Sequence, residues 1–153
     1  MSLGAERNGM ISFHIFVSPA LKGVTMSAEI LIVEDNKTTL DLYRALLGFV
    51  GDYSVKTLER ADDAVSYLRA GGPTELIITD MDMPGGSGLD VLEQARESTP
   101  NVPCIVCSGN IAAFCKQEIQ ALGVRKILRK PFTVTEFTAE VRHCLQPADS
   151  LLS

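Results

Sequence analysis

Glu34 and Asp35, Asp80, Ser108 and Lys130 each stand at or just past the end of a short apolar run: Ile30–Val33, Leu76–Thr79, Cys104–Cys107 and Val124–Leu128. Brought to one place, Glu34, Asp35 and Asp80 would repel one another, and at least one would tend to hold a proton. A hard divalent cation removes that repulsion, and Mg²⁺ is typically held by one or two carboxylates together with waters and phosphate oxygens. Lys130 adds a compact positive charge suited to a phosphoryl oxygen, and Ser108 a small donor. Carboxylates, a metal and a lysine are the parts of phosphoryl transfer, where catalysis is mostly positioning and charge neutralisation. No G-x-x-x-x-G-K-[ST] loop is present to cradle a nucleotide. The expected donor is therefore another protein or a small phosphodonor, with an Asp as acceptor.

The elements that must position these residues follow from periodicity. Strands are predicted at Ile30–Val33, Tyr53–Thr57, Leu76–Thr79, Cys104–Cys107 and Val124–Leu128. Helices are predicted near Thr38–Leu47, Ala61–Ala70, Leu89–Glu97, Ile111–Leu122 and Val134–Leu145. The last shows Val134, Phe137, Val141 and Leu145 at helical spacing, one apolar stripe. Strand then helix, five times over, means an α/β fold with a parallel sheet covered on both faces. In open sheets of this class, ligands bind at the carboxyl ends of the strands. Only the second strand, followed by Leu58 and Glu59, brings no compelling group there. Gly85-Gly86-Ser87-Gly88 reads as a flexible turn into a helix with Ser87 as its N-cap.

The chain has 153 residues, 46% apolar and 22% charged, which suits one domain with one core. A net charge of -5 disfavours broad binding to nucleic acid or anionic membranes. No apolar run approaches the roughly 20 residues that span a bilayer. Cys104, Cys107, Cys115 and Cys144 sit in apolar stretches, as reduced thiols of a cytoplasmic protein do. Cys104 and Cys107 form a C-x-x-C spacing, but three apart on a strand they face opposite ways and cannot grip one metal. His14 and His143 have no partner at metal-ligand spacing. Residues 1–27 are expected to be an extension, a tag remnant or an arm, and 147–153 a short tail without an effector.

Residues 28–146 resemble a receiver domain of bacterial two-component response regulators. The resemblance rests on Ile30-Leu31-Ile32-Val33-Glu34-Asp35-Asn36, Leu76-Ile77-Ile78-Thr79-Asp80-Met81-Asp82-Met83-Pro84-Gly85, Ile105-Val106-Cys107-Ser108-Gly109 and Gly123-Val124-Arg125-Lys126-Ile127-Leu128-Arg129-Lys130-Pro131-Phe132. It implies a doubly wound, flavodoxin-like (βα)₅ sandwich with strand order 2-1-3-4-5. It implies phosphorylation of Asp80 by a sensor histidine kinase or a histidine phosphotransfer protein, with no enzymatic turnover beyond the domain's own phosphorylation and dephosphorylation. Mg²⁺ would be held by Asp35 directly, by Glu34 through water, by Asp80 and by the backbone carbonyl of Asp82. Lys130 would pair with Asp80 and then with the phosphoryl group, and Ser108 would take the switch position. A cis Lys130-Pro131 bond is expected, as is a homodimer or output contact through the face of the fourth helix, fifth strand and fifth helix, where Arg125, Lys126 and Arg129 gather.

Two positions depart from the family. Ile127 stands where an aromatic residue usually couples to the switch, and Asp82 adds a charge beside the entering or leaving group. Two other readings stay open at this point. Asp80-Met81-Asp82 also resembles the start of haloacid-dehalogenase-type phosphatases, with Asp80 as nucleophile and Asp82 as general acid. Ile127 leaves room for a receiver that docks without being phosphorylated.

Overall fold

In the computed structural model, which describes residues 28–114 and 116–146, the predicted alternation appears nearly element for element. The chain runs β1 (Ala28–Val33), α1 (Lys37–Val50), β2 (Tyr53–Leu58), α2 (Ala61–Arg69) and β3 (Leu76–Thr79). It continues through β4 (Asp82–Met83), β5 (Gly86–Ser87), α3 (Gly88–Ser98), β6 (Cys104–Ser108), α4 (Lys116–Ala121), β7 (Val124–Arg129) and α5 (Val134–Leu145). The expected extension, 1–27, and tail, 147–153, lie outside the described residues, as does Cys115.

The long strands form one parallel sheet ordered β2-β1-β3-β6-β7. Counting only these five, the order is the expected 2-1-3-4-5. Successive side chains on a strand point to opposite faces, and the core divides accordingly. Leu31, Val33, Ile77 and Val106 pack with Ala64, Leu68, Val91, Leu92 and Ile119 of α2, α3 and α4. Ile30, Ile32, Ile78 and Ile105 pack with Tyr43 and Leu47 of α1 and with Phe137 and Val141 of α5. Cys104 joins the first cluster and Cys107 the second, so the C-x-x-C pair does straddle the sheet. Burial pushes both thiols up to about 12.

Helix starts follow the local chemistry. Asn36 Oδ1 accepts from the Thr39 N–H at the head of α1, while Ser87 with Asp90 and Thr133 with Glu136 form capping boxes on α3 and α5. Ser87 thus takes the N-cap role its sequence context predicted. Two readings need correction. The helix expected over Ile111–Leu122 is a single 3₁₀ turn at Ile111–Ala113, an extended Phe114, and only the six residues of α4. Ile119 is the one buried residue of α4, too thin an apolar stripe to sustain a longer helix. The glycine-rich stretch is not a loose turn: Asp82–Met83 pairs antiparallel with Gly86–Ser87 in a small hairpin that runs straight into α3.

No helix among the described residues is long and apolar enough to cross a membrane.

Candidate functional site

The parallel register brings the carboxyl ends of β1, β3, β6 and β7 to one rim. Glu34 follows β1 directly, and its N–H donates to Leu58 O at the end of β2. Asp80 follows β3, its N–H donating to Val33 O. Ser108 closes β6, and its carbonyl accepts from Lys130 N–H at 2.9 Å. Lys130 is thereby held opposite the acids, and its bond to Pro131 is cis, as expected.

The centre is one ammonium between two carboxylates. Lys130 Nζ donates to Glu34 Oε1 at 2.7 Å and to Asp80 Oδ2 at 3.0 Å. Asp80 Oδ1 accepts from Met81 N–H at 2.6 Å and, more weakly, from Asp82 N–H at 3.4 Å. Glu34 Oε2 accepts from Asn36 N–H at 3.2 Å. The side chains of Glu34, Asp80 and Lys130 are 2%, 12% and 26% exposed, so the charges interact through little water.

Their titration reflects that setting. Burial, the largest influence, raises the Glu34 carboxyl above its ordinary range, and the hydrogen bond and charge of Lys130 offset it only in part. Burial alone would lower Lys130, but its hydrogen bonds to Glu34 and Asp80 and their negative charge outweigh it and hold the ammonium above the usual lysine range.

The remaining predicted residues sit around this centre with different exposures. Ser108 is buried, its Oγ accepting from Asn110 N–H at 3.3 Å. Asp35 and Asp82 are exposed on the lip, and neither side chain joins an ion pair among the described residues. The second strand's Glu59 pairs instead with Lys37 at 3.5 Å, on the surface. Ile127 is half-buried against the core cluster of α2, α3 and α4. The oxygen-only donors suit a hard cation. Glu34 is sealed from solvent with both oxygens engaged, which leaves the partly exposed Asp80 and the exposed Asp35 and Asp82 as the carboxylates a cation can reach.

Gly88 is a positional requirement that sequence reasoning missed. A Cβ there would overlap the Asp80 carbonyl oxygen and press on Met81, because the first turn of α3 passes directly behind the acidic loop. Gly88 N–H donates to Met81 O at 2.9 Å, fixing that approach. Gly88→Ala is expected to cost about 1–3 kcal/mol of stability by urea unfolding and to displace Asp80. The signal was in the sequence, a glycine eight residues past the acid, but it looks the same as a turn glycine until the backbone path is known.

A family model described as the response regulator receiver domain matches residues 30–142. The transcriptional regulatory protein DltR of Streptococcus agalactiae is 33% identical over 113 residues, covering 74% of this chain and 50% of that protein. The response regulator MprA of Mycobacterium bovis is 29% identical over 121 residues, 79% of this chain and 52% of that protein. The chain thus spans about half the length of these curated relatives. Among solved structures, a response regulator receiver domain protein of Clostridium thermocellum superposes with a TM-score of 0.69 at 26% identity, covering 82% of this chain and 99% of that one. The receiver domain of a sensor histidine kinase from Pseudomonas aeruginosa, with a magnesium ion in its active-site cleft, superposes with a TM-score of 0.66 at 25% identity, covering 76% of this chain and 96% of that one.

Proposed function

The chain belongs to the response regulator receiver family, and on that premise we propose that it accepts a phosphoryl group on Asp80 from a sensor histidine kinase or a histidine phosphotransfer protein. The observation that carries this reading is Lys130 Nζ held between Glu34 and Asp80 at the rim of a parallel sheet.

A carboxylate oxygen of Asp80 attacks the phosphorus of a phosphohistidine; the P–N bond breaks, an acyl phosphate forms, and the imidazole leaves and takes up a proton. Met81 N–H, donating to Oδ1, and Lys130, donating to Oδ2, orient the carboxylate for this. As charge builds on the phosphoryl oxygens, Lys130 transfers its hydrogen bond from Asp80 to them and Ser108 Oγ supplies a second donor. Asp35 and Asp80, with the Asp82 carbonyl and with Glu34 through water, would hold Mg²⁺, which when bound would supply positive charge to the same oxygens. A magnesium ion in the active-site cleft of the Pseudomonas aeruginosa receiver supports Mg²⁺ as the cation. Ser108 and Lys130 are joined through the backbone at β6 and β7, so drawing both toward a phosphoryl group reshapes the loops that follow those strands. Ile127 has no ring to rotate in response, so loop displacement carries the signal. Cys104 and Cys107, held as thiols, accord with a cytoplasmic setting.

Incubation with acetyl phosphate is expected to add the mass of one phosphoryl group by intact-mass spectrometry, with Mg²⁺ and not with EDTA. Continuous release of phosphate from unrelated phosphomonoesters would instead support phosphatase chemistry at Asp80 and Asp82. Absence of any modification would support a docking module.

A further inference from the structure

Tyr43 of α1 is 1% exposed, and its hydroxyl is the one buried side-chain polar atom among the described residues without a hydrogen-bond partner. An orphan of this kind carries its full desolvation penalty, and a phenylalanine would fill the same space without it. The ring is firmly placed. It stacks on Phe137 with centroids 5.3 Å apart and on Phe132 at 6.1 Å, and those two rings stack on each other at 5.5 Å.

The position of this tyrosine ties it to the acidic centre. Phe132 stands two residues past Lys130, and Tyr43, Lys130, Pro131 and Phe132 line one groove. Tyr43 also shares a core cluster with Cys107, the residue before Ser108 on β6. The Cys107 thiol adjoins the hydroxyl but is a weak acceptor. Burial raises the phenol well above the ordinary tyrosine range, and Cys107 and the charges of Glu34 and Asp80 act in the same direction, so the hydroxyl stays a donor.

A buried acceptor beside it is due to lose its own donor. Glu34 Oε1 is bonded by Lys130 at 2.7 Å, and the carboxylate is 2% exposed. When Lys130 turns to a phosphoryl group, that oxygen is left in a place water does not readily reach. We propose that Tyr43 is a positioning residue whose hydroxyl then bonds Glu34 Oε1, stabilising the phosphorylated state over the resting one. The inference rests on phosphoryl acceptance at Asp80. The same displacement supplies the coupling: the loop that carries Lys130 also carries Phe132, which stacks on the Tyr43 ring. The hydroxyl is unpaired at rest and makes a charge-assisted hydrogen bond after transfer, so it interacts differently with the two states, as any group that shifts a population must.

The test compares wild type with Tyr43→Phe, which keeps the ring and its stack. Binding of beryllium fluoride in the presence of Mg²⁺, as a stand-in for the phosphoryl group on Asp80, is followed by titration calorimetry. It is expected to weaken about tenfold or more in the variant, as loss of one hydrogen bond to a charged group does. Urea unfolding of the unliganded variant is expected to match or slightly exceed wild type. The ligand should also shift the near-ultraviolet tyrosine spectrum of wild type, and the shift should vanish in Tyr43→Phe, which leaves Tyr53 and Tyr67 in place. Equal affinity in the two proteins overturns the proposal, as does an effect of Tyr43→Phe that is undiminished in a Glu34→Gln background. So does a loss of unliganded stability with affinity unchanged, which would make the hydroxyl merely structural. A wild type that neither binds beryllium fluoride nor takes up a phosphoryl group overturns acceptance at Asp80 itself, a result distinct from equal affinity in the two proteins.

Discussion

Asp80→Asn is expected to abolish phosphoryl uptake while leaving the protein folded. The amide occupies the same space, and its carbonyl oxygen still accepts from the Met81 N–H that now bonds Oδ1. Lys130 keeps its 2.7 Å contact with Glu34, so the buried ion pair survives. What disappears is the anionic nucleophile, and no neighbouring group replaces it: Glu34 is buried with both oxygens engaged. Losing a nucleophile costs several orders of magnitude in rate, so uptake from acetyl phosphate should fall by at least about a thousandfold, to the background of an intact-mass measurement. A full mass gain in the variant would move the acceptor to Asp35 or Asp82, the two carboxylates exposed on the lip.

The second large effect is on stability. Lys130→Met leaves Glu34 and Asp80 facing each other without a cation, in a site where Glu34 is 2% exposed. Breaking a buried pair by removing one partner costs more than the pair contributes, because the remaining charge keeps its desolvation penalty. The variant is expected to lose about 2–4 kcal/mol at neutral pH. The loss has a pH signature. Burial already raises the Glu34 carboxyl in the wild type, and removing the ammonium raises it further. A carboxyl raised in the folded state binds its proton more tightly folded than unfolded. Its contribution is therefore fully present below the ordinary glutamate value, and it is lost as pH rises through the raised one. Urea midpoints should show the variant's deficit growing as pH rises above the ordinary glutamate range. Adding Glu34→Gln should recover much of it. A deficit independent of pH would mean that Lys130 acts only as packing.

Much of this was legible in advance because it is written in local periods. The β-branched runs of β1, β3 and β6 alternate faces with period two, so the opposite placement of Cys104 and Cys107 followed from spacing alone. Ser87 before an apolar helical pattern marked the start of α3. Other features were not written locally. The residues 111–122 carry apolar side chains at helical spacing, yet one buried isoleucine in α4 could not hold them as one helix. The bulge at Arg125 depends on how β7 pairs with β6, and the demand for glycine at 88 depends on α3 crossing behind Asp80.

The contrast is sharpest at Glu34 and Asp35. As adjacent carboxylates after an apolar strand they are chemically alike, and the sequence alone determined that both would reach the rim, since strand length and the strand–helix alternation put them there. Only the tertiary structure decided that Glu34 turns inward and loses its water while Asp35 stays exposed. Glu34's partner lies 96 positions away, brought back by the parallel crossings from β1 through β3 and β6 to β7. An inward direction has no energetic meaning until that lysine is there to meet it, because a carboxylate leaves water only where a cation and hydrogen-bond donors replace what it gives up.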